Sequence, residues 1–117
     1  MITFKTIRKI TGKLPGTIES TSYGTPAIKV GKKLILRLHQ KEDAIVLLLN
    51  TVAEQRQLIE RDPMTFYITD HYSGYAAILV RPTISEEEFC SLVEIAWRRV
   101  ASKKQIAQYE NTNWSAA

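Results

Sequence analysis

The chain has 117 residues, 44% of them hydrophobic, and a formal net charge of +4. That suits one domain with one core and excludes a disordered chain. No apolar run approaches the ~20 residues of a membrane span. The N-terminus shows no signal-peptide pattern, and the one cysteine, Cys90, has no internal partner, so a reducing cytoplasm is the expected home.

The charge is unevenly placed. Residues 1–41 hold nine basic side chains and one acid, a net +8; residues 42–96 hold ten acids and three basic side chains, a net −7; residues 97–117 add +3. Such segregation points to a face for a polyanion. The plainer account is that these groups intermix in space and solvate the surface.

Residues 3–13 read as a basic amphipathic helix. Thr3 can cap it, and Phe4, Ile7 and Leu14 fall near one stripe. Lys5, Arg8, Lys9 and Lys13 lie mostly off that stripe, and Leu14-Pro15-Gly16 stops the helix.

The segment that organises the rest is 19–39. Small polar residues and a Gly24-Thr25-Pro26 turn signal lead into alternating runs at 27–30 and 34–39. Gly31-Lys32-Lys33 separates the two runs, a hairpin signature. A three-residue loop sets Val30 opposite Leu34 and Ile28 opposite Leu36. Ile28, Val30, Leu34, Leu36 and Leu38 then share one face, and Lys29, Ile35, Arg37 and His39 share the other. A two-residue loop would mix the two sets, so the pattern favours the longer loop.

Residues 44–49 are nearly all apolar and read as a central strand covered on both faces. Thr51 and Glu54 fit a capping box for a helix over 52–61 that buries Leu58 and Ile59. Asp62-Pro63 ends it. Residues 65–69 alternate as a strand, 70–74 form a loop, and 75–81 form another strand. Ser85 and Glu88 fit a second capping box, and Phe89, Leu92, Val93, Ala96 and Val100 follow at helical spacing. Leu92 and Val93 are expected to be buried, and Cys90 reads as a small buried side chain. Arg98, Arg99, Lys103 and Lys104 suit the negative end of that helix dipole. The expected fold is α/β in the α+β sense: a single domain over 1–104, a mostly antiparallel sheet and about three helices. Residues 105–117 read as a polar tail, with Trp114 available to dock it.

Several pieces then occur in a telling order: Leu14-Pro15-Gly16, Glu19-Ser20-Thr21, Tyr23-Gly24-Thr25-Pro26, Lys29-Val30-Gly31 and Leu36-Arg37-Leu38-His39. Phe66-Tyr67-Ile68-Thr69, His71-Tyr72-Ser73-Gly74-Tyr75, Leu79-Val80-Arg81 and Ala96-Trp97-Arg98 follow. Over residues 4 to 103 or so, this ordered set resembles the MmcQ/YjbR family of small bacterial proteins. The resemblance implies a double-wing α/β fold and a DNA-binding role. Two features depart from it. Ala76 and Ala77 stand where many relatives carry a proline and a large residue, and the chain after Lys104 runs beyond the family pattern.

No Gly-x-Ser-x-Gly, Walker or Rossmann pattern occurs, so neither an enzyme nor a cofactor is expected. His39, His71 and Asp70 are metal-ligating types, but follow no recognised ligand spacing. Two binding sets remain. Lys29, Lys32, Lys33 and Arg37, with Arg8 and Lys9, are candidates for DNA phosphates. The same lysines also suit protection of an exposed sheet edge. Tyr23, His39, His71, Tyr72 and Tyr75 are candidates for a flat ligand or a protein partner, although tyrosines with wet hydroxyls also suit sheet edges.

Overall fold

Helix starts here are set by short polar side chains. Thr3 accepts from the backbone N–H of Thr6, and the Thr6 hydroxyl accepts in return from Thr3 N–H, both at 3.3 Å. Helix α1 (Phe4–Thr11) follows, ending two residues sooner than expected, and buries Ile7 and Ile10. Thr51 and Glu54 make the expected reciprocal box at the start of α2 (Val52–Arg61). At α3 (Glu86–Val100) only half of the box forms. Ser85 accepts from Glu88 N–H at 3.1 Å, while the Glu88 carboxylate is drawn to Arg61 at 2.6 Å.

The computed structural model describes residues 1–116, with side chains to residue 111. Its strands are β1 (Thr17–Ser22), β2 (Thr25–Val30), β3 (Lys33–Leu38), β4 (Ile45–Leu48), β5 (Phe66–Tyr67) and β6 (Ala77–Val80). They form one antiparallel sheet in the order β1-β2-β3-β4-β6-β5. The α+β class and single domain expected from the sequence are what is found. A fourth helix, α4 (Lys103–Ala116), follows α3. Its Ile106 and Tyr109 pack on the main core, and the Tyr109 ring meets Trp97 edge-on at 5.1 Å. Trp114 lies outside the described side chains. No helix among the described residues is long and apolar enough to cross a membrane.

The central hairpin differs from expectation in an instructive way. Its loop has two residues, Gly31 and Lys32, and Val30 pairs with Lys33. Gly31 has φ 60°, the glycine-first arrangement of a type II′ turn. The register then steps from Lys29 opposite Leu34 to Ile28 opposite Leu36, leaving Ile35 as the extra residue of a bulge. The bulge turns both Ile35 and Leu36 into the main core and leaves Leu34 half-buried on the side of Lys29. Ile28 does face Leu36, as expected, but by way of the bulge rather than a longer loop.

One sheet face is covered by α1 and α3 over Ile7, Ile28, Leu36, Leu47, Phe89 and Trp97. The other carries a small cluster of Ala44, Val46, Tyr72, Ala77 and Leu79 under the loop between β5 and β6. β4 is therefore covered on both faces, as its apolar run requires. On α3 the inward stripe is Phe89, Val93, Ala96 and Trp97. Leu92 is only partly buried, and Cys90 is exposed. Both positions correct the sequence reading, because the stripe rotates toward Trp97, whose indole N–H donates to the carbonyl of Pro15 at 2.8 Å.

Phe89→Ala should therefore lower stability by about 3–5 kcal/mol, read as a drop in the urea midpoint. Leu92→Ala should cost clearly less. Equal losses at the two positions would contradict this stripe.

Candidate functional site

The site begins at a strained turn. Tyr23 and Gly24 form the two-residue loop between β1 and β2, with φ of 53° and 75°. Positive φ at both positions is the type I′ requirement, normally met by Asn-Gly. Among the described residues Tyr23 is the one non-glycine in this region, and holding it there costs about 1–3 kcal/mol. The residue nevertheless stays 80% exposed. Its ring is held over the guanidinium of Arg37, 5.1 Å from its centroid.

Arg37 sits on β3 opposite Ala27 and is only 8% exposed. It donates to the Tyr72 hydroxyl and to the carbonyl of Leu38. Among the described residues no carboxylate lies within ion-pair distance of it. A guanidinium carries five N–H donors, so most of its donor capacity has no acceptor on the chain.

Around Arg37 the structure gathers the rest of the aromatic set. The Tyr72 ring meets His71 edge-on at 4.9 Å and His39 at 6.2 Å. His71 lies nearly parallel to the exposed Tyr75 ring, 6.0 Å away at 12°. Tyr23, Arg37, His39, Glu42, His71 and Tyr72 line a cleft of about 520 Å³. That is within the usual size of a small-molecule site. A second hollow of about 350 Å³ between α2 and α3 is lined by Leu58, Leu92 and Ile95, with no histidine or aromatic ring.

His39 is fixed by two backbone donors. Its Nδ1 accepts from Lys41 N–H and Glu42 N–H, each at 3.0 Å. Accepting at Nδ1 requires the neutral ring. Burial, then the nearby Arg37 charge, holds its pKa below the ordinary value, against an opposing pull from Glu42. Glu42 accepts from the Tyr67 hydroxyl at 3.1 Å. Burial and that bond push the Tyr67 phenol up. The Tyr67 ring lies under Arg81, 4.1 Å from its centroid.

Sequence reasoning missed the residue that holds this loop. Gln55 on α2 is 2% exposed. Its Nε2 donates to the carbonyls of Tyr72, Tyr75 and Ala77 at 3.0, 2.8 and 2.8 Å. The signal was a polar residue three and four positions before Leu58 and Ile59, on the stripe that faces inward.

The basic candidates divide into groups. Arg8 pairs with Glu19, and Lys9 with Glu86. Arg37 belongs to the cleft. Lys29, on the Arg37 face, with Lys32 in the turn and Lys33 opening β3, have no carboxylate within ion-pair distance among the described residues. Arg99, not singled out as a binding residue in the sequence, donates to the carbonyl of Leu34 at 3.2 Å. It brings the basic end of α3 to the lysine turn. Among the described residues no group of three or more His, Cys, Asp or Glu side chains is arranged to hold a metal.

Two outcomes are expected. Gln55→Leu removes the donor that three carbonyls share, two of which, Tyr72 and Tyr75, keep a backbone N–H, and should lower stability by about 1–3 kcal/mol, with amide exchange in 72–77 rising most. In an NMR titration His39 should protonate below about 6.5. The unfolded chain then takes up its proton first as pH falls, so the His39 contribution to stability is whole above that value and shrinks below it. A midpoint above the ordinary value would contradict the Nδ1 arrangement.

Comparison with known proteins places this architecture. No curated protein matches the chain. Among solved structures, the Deinococcus radiodurans protein DR2400, titled as a DUF419 family-model domain, is similar at a TM-score of 0.73 and 16% identity. The match covers 94% of this chain and 89% of that one, a likeness of fold. A family model described as YjbR matches residues 12–99, a span that takes in the β1–β2 turn, the central hairpin, the Gln55-held loop and nearly all of α3; the chain belongs to the YjbR family.

Proposed function

We propose that this protein is a non-enzymatic nucleic-acid-binding protein that takes the DNA phosphate backbone at the lysine turn of its sheet. The observation that carries this reading is a contrast in pairing. Arg8, Lys9, Arg61 and Arg98 each have a carboxylate partner, while Lys29, Lys32 and Lys33 have none among the described residues. Unpaired ammonium groups are the ones free to displace counterions from phosphates.

Sheet topology supports the same reading. β2 and β3 are interior strands, flanked by β1 and β4. Lys32 and Lys33 are thus not needed to shield a free edge, the main alternative use for lysines in a sheet. Arg99 joins them from the C-terminal basic stretch. No base-reading element enters this proposal, so binding is expected to be weak and tolerant of sequence, with a dissociation constant of roughly 10⁻⁴ to 10⁻⁶ M at physiological salt.

Fluorescence anisotropy with a labelled duplex at several salt concentrations tests it. Each phosphate neutralised adds about −0.9 to the slope of log K against log salt. Lys32→Glu combined with Lys33→Glu should weaken binding evenly across sequences and flatten the slope by about two such units. Absent binding at low salt, or binding that the double variant leaves unchanged, would remove this function.

A further inference from the structure

We infer that the cleft at Arg37 is a nucleotide site, taking a phosphorylated flat base either as a free mononucleotide or as an unstacked nucleotide of a single strand. The inference does not depend on the lysine turn. It rests on three observations that the packing of the chain only partly accounts for.

The first is the Arg37 charge. A guanidinium that is 8% exposed and has no carboxylate partner among the described residues is costly to bury. Packing alone would be better served by an apolar side chain. Its bonds to Tyr72 and Leu38 hold the fork in place and leave donors open to the cleft. A planar fork of this kind suits a phosphate. Lys41 lines the same cleft and adds a second cation. Glu42, the carboxylate among the lining residues, accepts from Tyr67 and makes no ion pair with Arg37.

The second is Tyr23. A large residue is held at φ 53° in a turn where Asn would be relaxed, yet apart from its contact with the Arg37 guanidinium it remains 80% exposed. Strain at an exposed aromatic is compatible with a ligand that uses the ring. The third is the His71–Tyr75 pair, stacked and open to solvent beside the same cleft. Tyr23 and the His71–Tyr75 pair offer flat surfaces on which a base can stack. The volume of about 520 Å³ admits a base, sugar and phosphate together.

The test uses the full chain and backbone amide NMR with four probes: adenosine 5′-monophosphate, adenosine, inorganic phosphate and a short single-stranded oligothymidylate. The monophosphate should shift amides near Tyr23, Arg37, His39 and His71, and should bind more tightly than either adenosine or phosphate. Preference for the oligothymidylate over the monophosphate assigns the site to strands; the reverse assigns it to free nucleotides. Tyr23→Asn should raise or keep the melting temperature, since the turn relaxes, while weakening the monophosphate by about fivefold to a hundredfold. Arg37→Lys keeps the charge and should weaken phosphate-bearing probes more than adenosine.

Phosphate binding as tightly as the monophosphate would reduce the cleft to an anion site and overturn the inference. So would equal binding of adenosine, unaffected binding by Tyr23→Asn, or no cleft shifts with either nucleotide probe. Duplex binding that needs Lys32 and Lys33 without any cleft shift would sink this inference and leave the proposed function standing. Cleft binding of the monophosphate without duplex binding would do the reverse.

Discussion

One buried amide ties down the loop that forms a wall of the cleft. The loop between β5 and β6 is not held by a strand ladder over most of its length, since β5 contributes only Phe66 and Tyr67. Besides backbone bonds of its own, its carbonyls at Tyr72 and Tyr75, with that of Ala77 opening β6, converge on Gln55 Nε2. Two N–H groups serving three acceptors means that at least one bond is shared. Buried carbonyls must find donors somewhere. Gln55 supplies them from α2 and so ties a helix of one layer to the loop that covers the opposite sheet face. With the loop fixed, Tyr72 can lie under His71 and receive Arg37.

Much of this fold was legible because it follows from local rules. Thr3, Thr51 and Ser85 cap the helices that their positions announce. The apolar run at 44–49 is a strand with core on both sides. What was not legible depends on contacts across the chain. β1 carries a mostly polar, exposed sequence with Ile18 facing solvent, so periodicity had nothing to detect. The bulge at Ile35 changes which residues share a face without changing composition. Trp97 displaces Leu92 as the centre of the α3 stripe because Pro15 offers its indole an acceptor. α4 gains its place from Ile106 and Tyr109, two apolar contacts in an otherwise polar segment.

The candidate sites divide along the same line. Tyr23, His39 and the His71–Tyr72 pair come from three separate stretches of sequence, yet the sheet and the Gln55-held loop bring them to one cleft with Arg37, and Tyr75 stands beside it against His71. Their residue types were visible; their convergence was not, because it needs the β1–β2 turn and the β5–β6 loop to meet above β3. The basic set behaves oppositely. Six cations that look alike in sequence have three fates, set by whether an acid from another element arrives. Glu19 reaches Arg8 and Glu86 reaches Lys9, Arg37 is buried, and the lysines of the turn remain open. The charge excess of the N-terminal third therefore overstates the charge available to a polyanion.

The two proposed surfaces are neighbours on one sheet. Lys29 and Arg37 share a face because Lys29 pairs with Leu34 and Ala27 pairs with Arg37. Diagonal same-face neighbours of this kind lie about 7–8 Å apart, close to the spacing of successive phosphates on an extended strand. A backbone entering along Lys32 and Lys29 would arrive next at Arg37 and then at the rings of Tyr23 and Tyr72. α1 and α3 stay clear of that route, since they cover the opposite face. Placing α1 and α3 on one face of the central hairpin is therefore the constraint that leaves both surfaces open. The strained Tyr23 turn stands where such a route would change from charge contact to ring contact.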